Sequence, residues 1–291
     1  MARILITGGT GLVGKRLTQL LIDKNHEVLI LSRNPKNENE FKWDISKNFI
    51  ENKAFKNIDF IIHLAGAGIA DERWTEKRKQ VIINSRVKTA NLLFEKVNEL
   101  NIDLKGFISA SGIGYYGAIT SKTIFKETDK PGTDFLGDVC QKWEEAAHQF
   151  SRKNIPVTIL RTGIVLSSEG GALDKMKTPI VSPLGSGKQY IPWIHIDDLC
   201  YMYIKSIEDN LTGIYNAVAP QHHTSLTFSK ALAKSIKRPY LGIGVPGFML
   251  KLLFGELSVI LLEGSRISTK KIEKNGYSFR FKTLKKALYN L

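Results

Sequence analysis

The segment Thr7-Gly8-Gly9-Thr10-Gly11-Leu12-Val13-Gly14 constrains the fold more than any other part of the 291-residue chain. It joins an apolar run, Arg3–Thr7, to an amphipathic one, Leu12–Lys24, and a second apolar run, Glu27–Ser32, follows. Glycines at 8, 11 and 14 suit a tight strand-to-helix turn, close backbone approach to a pyrophosphate, and tight packing of helix on strand. The helix start adds free N–H groups and the positive end of the helix dipole. Gly8, Thr10, Gly11, Leu12, Val13 and Gly14 are therefore candidate dinucleotide-binding residues.

The end of the second strand bears on which dinucleotide. A free ribose 2′-OH usually meets an Asp or Glu about 20 residues past the glycines. This chain has Ser32-Arg33 there. Arginine has no acceptor for a hydroxyl but pairs well with a 2′-phosphate, so Ser32 and Arg33 favour the phosphorylated cofactor, NADP(H).

The same alternation continues downstream. Asp59–Leu64, Gly106–Ser111 and Val157–Thr162 read as strands, and Glu76–Asn98 and Val139–Lys153 as helices. Strands separated by helical stretches imply βαβ units and a mostly parallel sheet covered on both faces, an α/β protein. After Val165 the texture changes to loops rich in Gly, Ser and Pro, and Tyr190–Tyr203 returns to a strand-and-helix pattern. Residues 1–165 are expected to form a nucleotide-binding domain to which 190–220 return, and 166–291 mainly a smaller lobe.

Composition narrows the class. At 43% hydrophobic and 24% charged, the chain is neither collagen-like, disordered nor a disulfide scaffold. Cys140 and Cys200 suit a reducing cytoplasm, and no secretory signal opens the sequence. Val245–Leu262 is interrupted by Lys251, Gly255 and Glu256, so two buried helical pieces are expected instead of a membrane span. Net charge is +14, and Arg266–Leu291 holds eight Lys/Arg against Glu273 alone. Tyr277, Phe279 and Phe281 alternate there with Ser278 and Arg280, which reads as a strand with one buried face more readily than as a nucleic-acid patch. The histidines, including His222-His223, make no metal-ligand constellation, so no metal is expected.

Several motifs together carry a family resemblance. The glycine turn, Trp43-Asp44, Leu64-Ala65-Gly66 and Trp193-Ile194-His195-Ile196-Asp197-Asp198 resemble an extended short-chain dehydrogenase/reductase. Ala65-Gly66-Ala67-Gly68, Ser85-Arg86, Gly114-Tyr115-Tyr116-Gly117 and Trp143-Glu144 are similar to its atypical "epimerase family protein" branch. Val245-Pro246 through Leu261-Leu262-Glu263-Gly264 resembles that branch's small C-terminal domain. The resemblance implies a Rossmann-type doubly wound parallel sheet with a smaller C-terminal substrate lobe, bound NADP(H), and a small-molecule substrate with no nucleic-acid or membrane partner. It further implies that Leu64, Ala65 and Gly66 flank the cofactor, that Val165 meets the nicotinamide, and that Arg86 binds a phosphate or a substrate carboxylate. His195, Asp197 and Asp198 would order the return from lobe to sheet.

The proton relay of that superfamily is a Ser/Thr with a Tyr and a Lys four residues later, and here it is broken. Aligning Glu144 with the glutamate usual in that helix puts Leu136 at the tyrosine position and Cys140 at the lysine position. Ser111 matches the serine. Tyr115 or Tyr116, just past it, could supply the missing acid, so Ser111, Tyr115 and Tyr116 are the candidate catalytic residues. An NADP(H)-dependent oxidoreductase or epimerase-like enzyme acting on a small polar substrate is one reading. A binding protein that holds NADP(H) without turnover is the other.

Overall fold

A computed structural model describes residues 1–291. Its centre is an eight-stranded sheet whose first strand, β1 (Arg3–Thr7), lies between β2 (Glu27–Ser32) and β5 (Phe60–His63). On the β2 side follow β3 (Glu40–Asp44) and β4 (Phe49–Ile50); on the β5 side follow β6 (Gly106–Gly112), β8 (Val157–Thr162) and β11 (Gly213–Ala217). Every neighbouring pair is parallel except β3 with β4. The chain winds outward from β1 to β3, then returns past β1 to β5, so the winding direction reverses between β1 and β5. In sheets of this kind ligands bind in the crevice outside the strands' carboxyl ends at that reversal.

Both faces of the sheet are covered. On one, α1 (Leu12–Asp23) and α5 (Ile196–Glu208) pack Leu17, Leu21, Met202 and Ile204 against Ile4, Ile6 and Ile62. On the other, α2 (Glu76–Glu99) and α3 (Phe135–His148) contribute Leu92, Leu93, Val97 and Ala147 against Leu5, Ile61 and Phe107. Alternate residues of one strand thus serve opposite cores, which is why Phe60-Ile61-Ile62 is apolar without a break.

The smaller lobe holds α4 (Ala172–Met176), α6 (Ser225–Ser235), α7 (Gly247–Phe254), α8 (Val259–Leu262) and α10 (Leu284–Asn290), while α9 (Lys270–Lys274) packs on the sheet domain. Two two-stranded pairs complete the chain: β9 (Ile164–Leu166) with β10 (Trp193–His195), and β7 (Ile124–Phe125) with β12 (Arg266–Ile267). The tail crosses back to the sheet domain, since Ile272, Tyr277 and Phe279 join the core under α5.

Three expectations are corrected. The helix expected at Val139–Lys153 starts earlier, at Phe135, because Asp134 caps it by accepting from the Gly137 N–H; its last five residues tighten into a 3-10 turn. Residues 277–281 alternate in burial as expected but are not a strand. The buried carboxylate of Asp198 accepts the Arg280 and Phe281 N–H groups and the Tyr277 hydroxyl, doing the work of a partner strand. Val245–Leu262 does form helical pieces, yet neither α7 nor α8 is buried: on α7 only Leu250 points inward, while Phe248 and Leu252 are 72% and 77% exposed, and on α8 every residue is only partly covered. Arg73 holds α7 in place by donating to the Leu252 and Leu253 carbonyls. No helix is long and apolar enough to cross a membrane.

Candidate functional site

The crevice between the carboxyl ends of β1 and β5 is shaped by three glycines with three different tasks. Gly8 has φ +71°, a region that favours glycine, and a Cβ on it would stand 3.0 Å from the Leu64–Ala65 backbone. Gly14, in the first turn of α1, lies so close under the loop that a Cβ would reach 2.2 Å from the Gly8 oxygen. Gly11 differs from both. Its backbone is ordinary extended (φ −80°, ψ 175°), and a Cβ there would meet only the Gly8 oxygen at 3.3 Å. The bare face of Gly11 therefore opens outward at the start of α1, beside the unpaired N–H groups of the first turn. Leu12 and Val13 turn their side chains toward the core, and Thr10 is exposed at the rim.

A buried hydrogen-bond chain fixes the two loops that form the crevice. The Ala65 N–H donates to Thr7 Oγ1 (3.2 Å), and that hydroxyl donates to His63 Nδ1 (2.7 Å). His63 Nε2–H in turn donates to Thr89 Oγ1 (3.2 Å), whose own proton goes to the Ser85 or Arg86 carbonyl, both at 2.8 Å. Each group then donates once, which fixes the imidazole as the neutral Nε2–H tautomer. Complete burial agrees, pushing the His63 pKa down to about 4. Thr7, His63 and Thr89 were not among the expected site residues. The signal was a histidine ending a strand buried on both faces, which calls for partners on both nitrogens.

The neutral state of His63 has a consequence for stability. Its pKa is near 6.5 when unfolded, so between about pH 6.5 and 4 the unfolded chain binds the extra proton and the folded chain does not. Stability should fall as pH drops through that window, by up to about 3 kcal/mol from this residue alone. Denaturant unfolding at pH 7 and pH 4.5 measures it. His63→Gln should have a visibly flatter acid limb, and equal slopes for both proteins would remove His63 as the cause.

At the end of β2, Ser32 is buried and accepts from the Asn34 N–H, while Arg33 is exposed, with no carboxylate partner; Lys42 reaches over to its carbonyl. A cation thus stands free at the carboxyl end of β2. Val165, on β9, pairs with Ile194 of β10, is half-buried and packs against the core under α1 and α5.

The sequence-matched serine and tyrosines cluster at the end of β6. Ser111 Oγ donates to Glu144 Oε1 at 2.7 Å. Glu144 receives Arg161 bidentately, Nε to Oε1 and Nη2 to Oε2, each at 2.8 Å, with both residues buried. Burial works against the charged Arg161, but the Glu144 bonds and charge outweigh it and raise its pKa. The third nitrogen, Nη1, donates to the Tyr116 hydroxyl at 3.1 Å, and that hydroxyl donates to Asn216 Oδ1 at 2.6 Å. Burial pushes Tyr116 up to about 12. Its phenol is thereby committed at both lone pair and proton. Tyr115 is half-buried, its ring lies on the Arg161 guanidinium at 3.3 Å, and its hydroxyl makes no hydrogen bond. Of the two phenols, only that of Tyr115 is available to a ligand.

Leu136 and Cys140 occupy the first turns of α3. Leu136 packs with Trp74, Ile82, Val139 and Leu257. Cys140 is buried, and burial together with the Glu144 charge pushes its thiol up to about 12, so it stays protonated near neutrality. Beside Leu136 a cleft of about 520 Å³ runs between α3 and the segment 251–263, lined by Trp74, Phe135, Val259 and Leu262 with Lys251 and Glu256. His195 caps α5 by accepting the Asp197 N–H, and Asp197 pairs with Arg16 at 2.7 Å. These groups tie α5 to α1 and the tail and lie in structural bonds. No three His, Cys, Asp or Glu side chains gather where they could hold a metal ion.

Comparison with known proteins agrees with this arrangement. Epimerase family protein SAR0825 of Staphylococcus aureus (strain MRSA252) is 35% identical over 301 residues, spanning 100% of this chain and 99% of that protein. Epimerase family protein SDR39U1 of Mus musculus is 32% identical over 98% of both chains. Among solved structures, human epimerase family protein SDR39U1 (isoform 2) with NADPH superposes with a TM-score of 0.88 at 30% identity, over 99% of this chain and 98% of that one. The nucleoside-diphosphate sugar epimerase from Corynebacterium glutamicum gives 0.80 at 29%, over 99% of this chain and 57% of that one. A domain of unknown function (DUF1731) matches residues 245–291. The profile of the "NAD dependent epimerase/dehydratase family" matches residues 4–217, and the chain belongs to that family.

Proposed function

We propose that this chain is an NADP(H)-binding oxidoreductase or epimerase-like enzyme of the cytoplasm, acting on a small polar substrate. The observation that carries the reading is the crevice itself. Gly11 leaves room where a Cβ would intrude, the first N–H groups of α1 face it, and Arg33 stands uncompensated at the end of β2. The NADPH found with human SDR39U1, which matches this chain along its length, supports the same cofactor. Gly8, Thr10, Gly11, Leu12, Val13 and Gly14 would hold the pyrophosphate, Ser32 and Arg33 the 2′-phosphate, Leu64, Ala65 and Gly66 the adenosine side, and Val165 the nicotinamide. Bound there, NADP(H) supplies a hydride donor or acceptor. Ser111 and Tyr115 are the polar groups on the chain's side of that chemistry, Ser111 positioning the reacting oxygen and Tyr115 moving its proton. Tyr116 supports both through Arg161.

Selectivity gives the first test. Wild type should prefer NADPH to NADH in calorimetry, and Arg33→Ala should erase most of the preference. A charge-assisted contact contributes about 1.5–3 kcal/mol, or roughly 10- to 150-fold in affinity. Equal wild-type affinities would reduce Arg33 to a solvated surface residue.

The second reading, a protein that binds NADP(H) without turnover, is favoured by one observation: an inert Leu136 and a protonated Cys140 fill the relay positions. Exposing the NADPH complex to a panel of small carbonyl compounds separates a binder from an oxidoreductase, which alone consumes the cofactor; an epimerase returns its hydride and is read instead from a change in the substrate's stereochemistry.

A further inference from the structure

We propose that α7 and the extended segment before it form a docking surface that seats the protein peripherally on an anionic lipid bilayer. Between Leu241 and Leu253, six large apolar residues face solvent: Leu241, Ile243, Phe248, Met249, Leu252 and Leu253. At about 3.6 residues per turn, Phe248 and Leu252 share the side of α7 opposite the inward Leu250, with Met249 and Leu253 beside them. The segment is nonetheless firmly held. Arg73 grips its end through the Leu252 and Leu253 carbonyls, and at its start Val245 exchanges backbone bonds with Pro183 and Gly185. An ordered, exposed apolar surface of this kind marks contact with a partner or a membrane.

The charge around the patch selects lipid. The chain has no carboxylate between Asp174 and Asp197 or between Asp209 and Glu256, and those two stretches hold eight Lys and Arg. Two of them flank the patch: Arg238 donates to the Lys177 carbonyl, and just beyond, the Leu241 N–H donates to the Val181 carbonyl. Lys251 is exposed on α7 itself and makes no ion pair. Its long stem lets the ammonium reach a headgroup phosphate while its neighbours enter the acyl region. Past the end of α7 the nearby acids are already matched, Asp71 and Glu72 with Arg78, and Glu76 and Glu256 with Lys79. A second copy meeting this patch with its own would oppose like charges, whereas an anionic surface brings opposite ones. The net charge of +14 acts in the same direction. The patch also runs off the helix, so a protein groove that reads one helical stripe would leave Leu241 and Ile243 uncovered. With eight residues α7 cannot span a bilayer and would lie in the interface. Lys251, which in the sequence argued against a membrane span, is on this surface the cation for a headgroup, and the surface departs from the expectation of no membrane partner.

Flotation of the full chain tests this with vesicles of phosphatidylcholine alone and of phosphatidylcholine mixed with phosphatidylglycerol, at low and high salt. Wild type should float with the anionic vesicles, less with the neutral ones, and less again at high salt. The double variant Phe248→Ser/Leu252→Ser should lose roughly tenfold or more in vesicle affinity. Its melting temperature should stay at the wild-type value, because both side chains already face water. Lys251→Glu should lose the preference for anionic vesicles. Phe248→Trp adds a reporter whose emission should shift to the blue on binding, as the side chain enters the acyl region. A wild type that ignores anionic vesicles would overturn the proposal, and so would an unshifted emission. Equal binding by the double variant would also overturn it, reducing the contact to adsorption through net charge. A lipid-free wild-type dimer that the double variant dissolves would do the same, making the patch a contact between copies.

Discussion

Replacing Gly11 by valine should abolish dinucleotide binding and leave the fold in place. The three glycines of the turn make this test selective. At Gly14 any side chain would drive into the Gly8 carbonyl, and at Gly8 the positive φ adds backbone strain, so substitutions there damage the protein before they inform on binding. Gly11 has a backbone that valine adopts without strain, and a Cβ there would meet no protein atom but one carbonyl oxygen. The isopropyl group would occupy the ground a pyrophosphate needs in order to reach the first N–H groups of α1. Gly11 is also the N-cap, where a β-branched residue is a poor substitute, so about 1 kcal/mol of stability is expected to go. The measurement is paired: a melting curve without ligand, which should move by a few degrees, and NADPH calorimetry, which should show no heat of binding. Unchanged NADPH affinity would move the nucleotide elsewhere on the molecule.

The fold was legible where local chemistry and tertiary demand coincide. The glycine turn requires a strand before it and a helix after it, and β1 and α1 have the expected starts. The strands facing both cores declared themselves through unbroken apolar runs. What the sequence concealed depended on partners distant along the chain. The alternation at 277–281 is the same for a strand as for an extended segment bonded to one carboxylate, and only the fold brings Asp198 there. The apolar α7 looked like core because its residue types belong in cores, yet it has only one side chain inward.

The candidate site divides in the same way. Residues defined by backbone geometry, the glycines and the loop at 64–66, were readable as local patterns. Residues defined by their bonds were not. Tyr115 and Tyr116 are adjacent and of one type, and only the structure separates a phenol held between Arg161 and Asn216 from one that no group holds. Ser111 matched the family pattern, but its proton goes to Glu144, so toward a ligand it presents lone pairs. A serine in that state orients a substrate oxygen that carries its own hydrogen, which puts a hydroxyl at the reacting carbon in the direction where hydride leaves the substrate.

In the reverse direction, where hydride enters a carbonyl carbon, the oxygen needs a proton, and the Tyr115 phenol is the donor the geometry leaves for it. Tyr115→Phe should lower turnover by about 10²–10⁴-fold, the usual contribution of a positioned acid or base. NADPH affinity and melting temperature should stay near wild type, because the phenol bonds to nothing in the protein and the ring stays on Arg161. Tyr116→Phe should behave differently, since it leaves Asn216 Oδ1 and Arg161 Nη1 each short of a partner in a buried setting. The cost is about 1–3 kcal/mol, so any loss of rate there arrives with a lower melting temperature. Cys140→Ala should be nearly silent in rate, its thiol being protonated at neutral pH. The three variants are compared by following NADPH absorbance with whichever compound of the panel turns over. An inactive Cys140→Ala beside two active phenylalanine variants would transfer the chemistry to the thiol. A panel in which no compound alters the cofactor or changes its own stereochemistry would leave Tyr115 without a reaction and make binding itself the function.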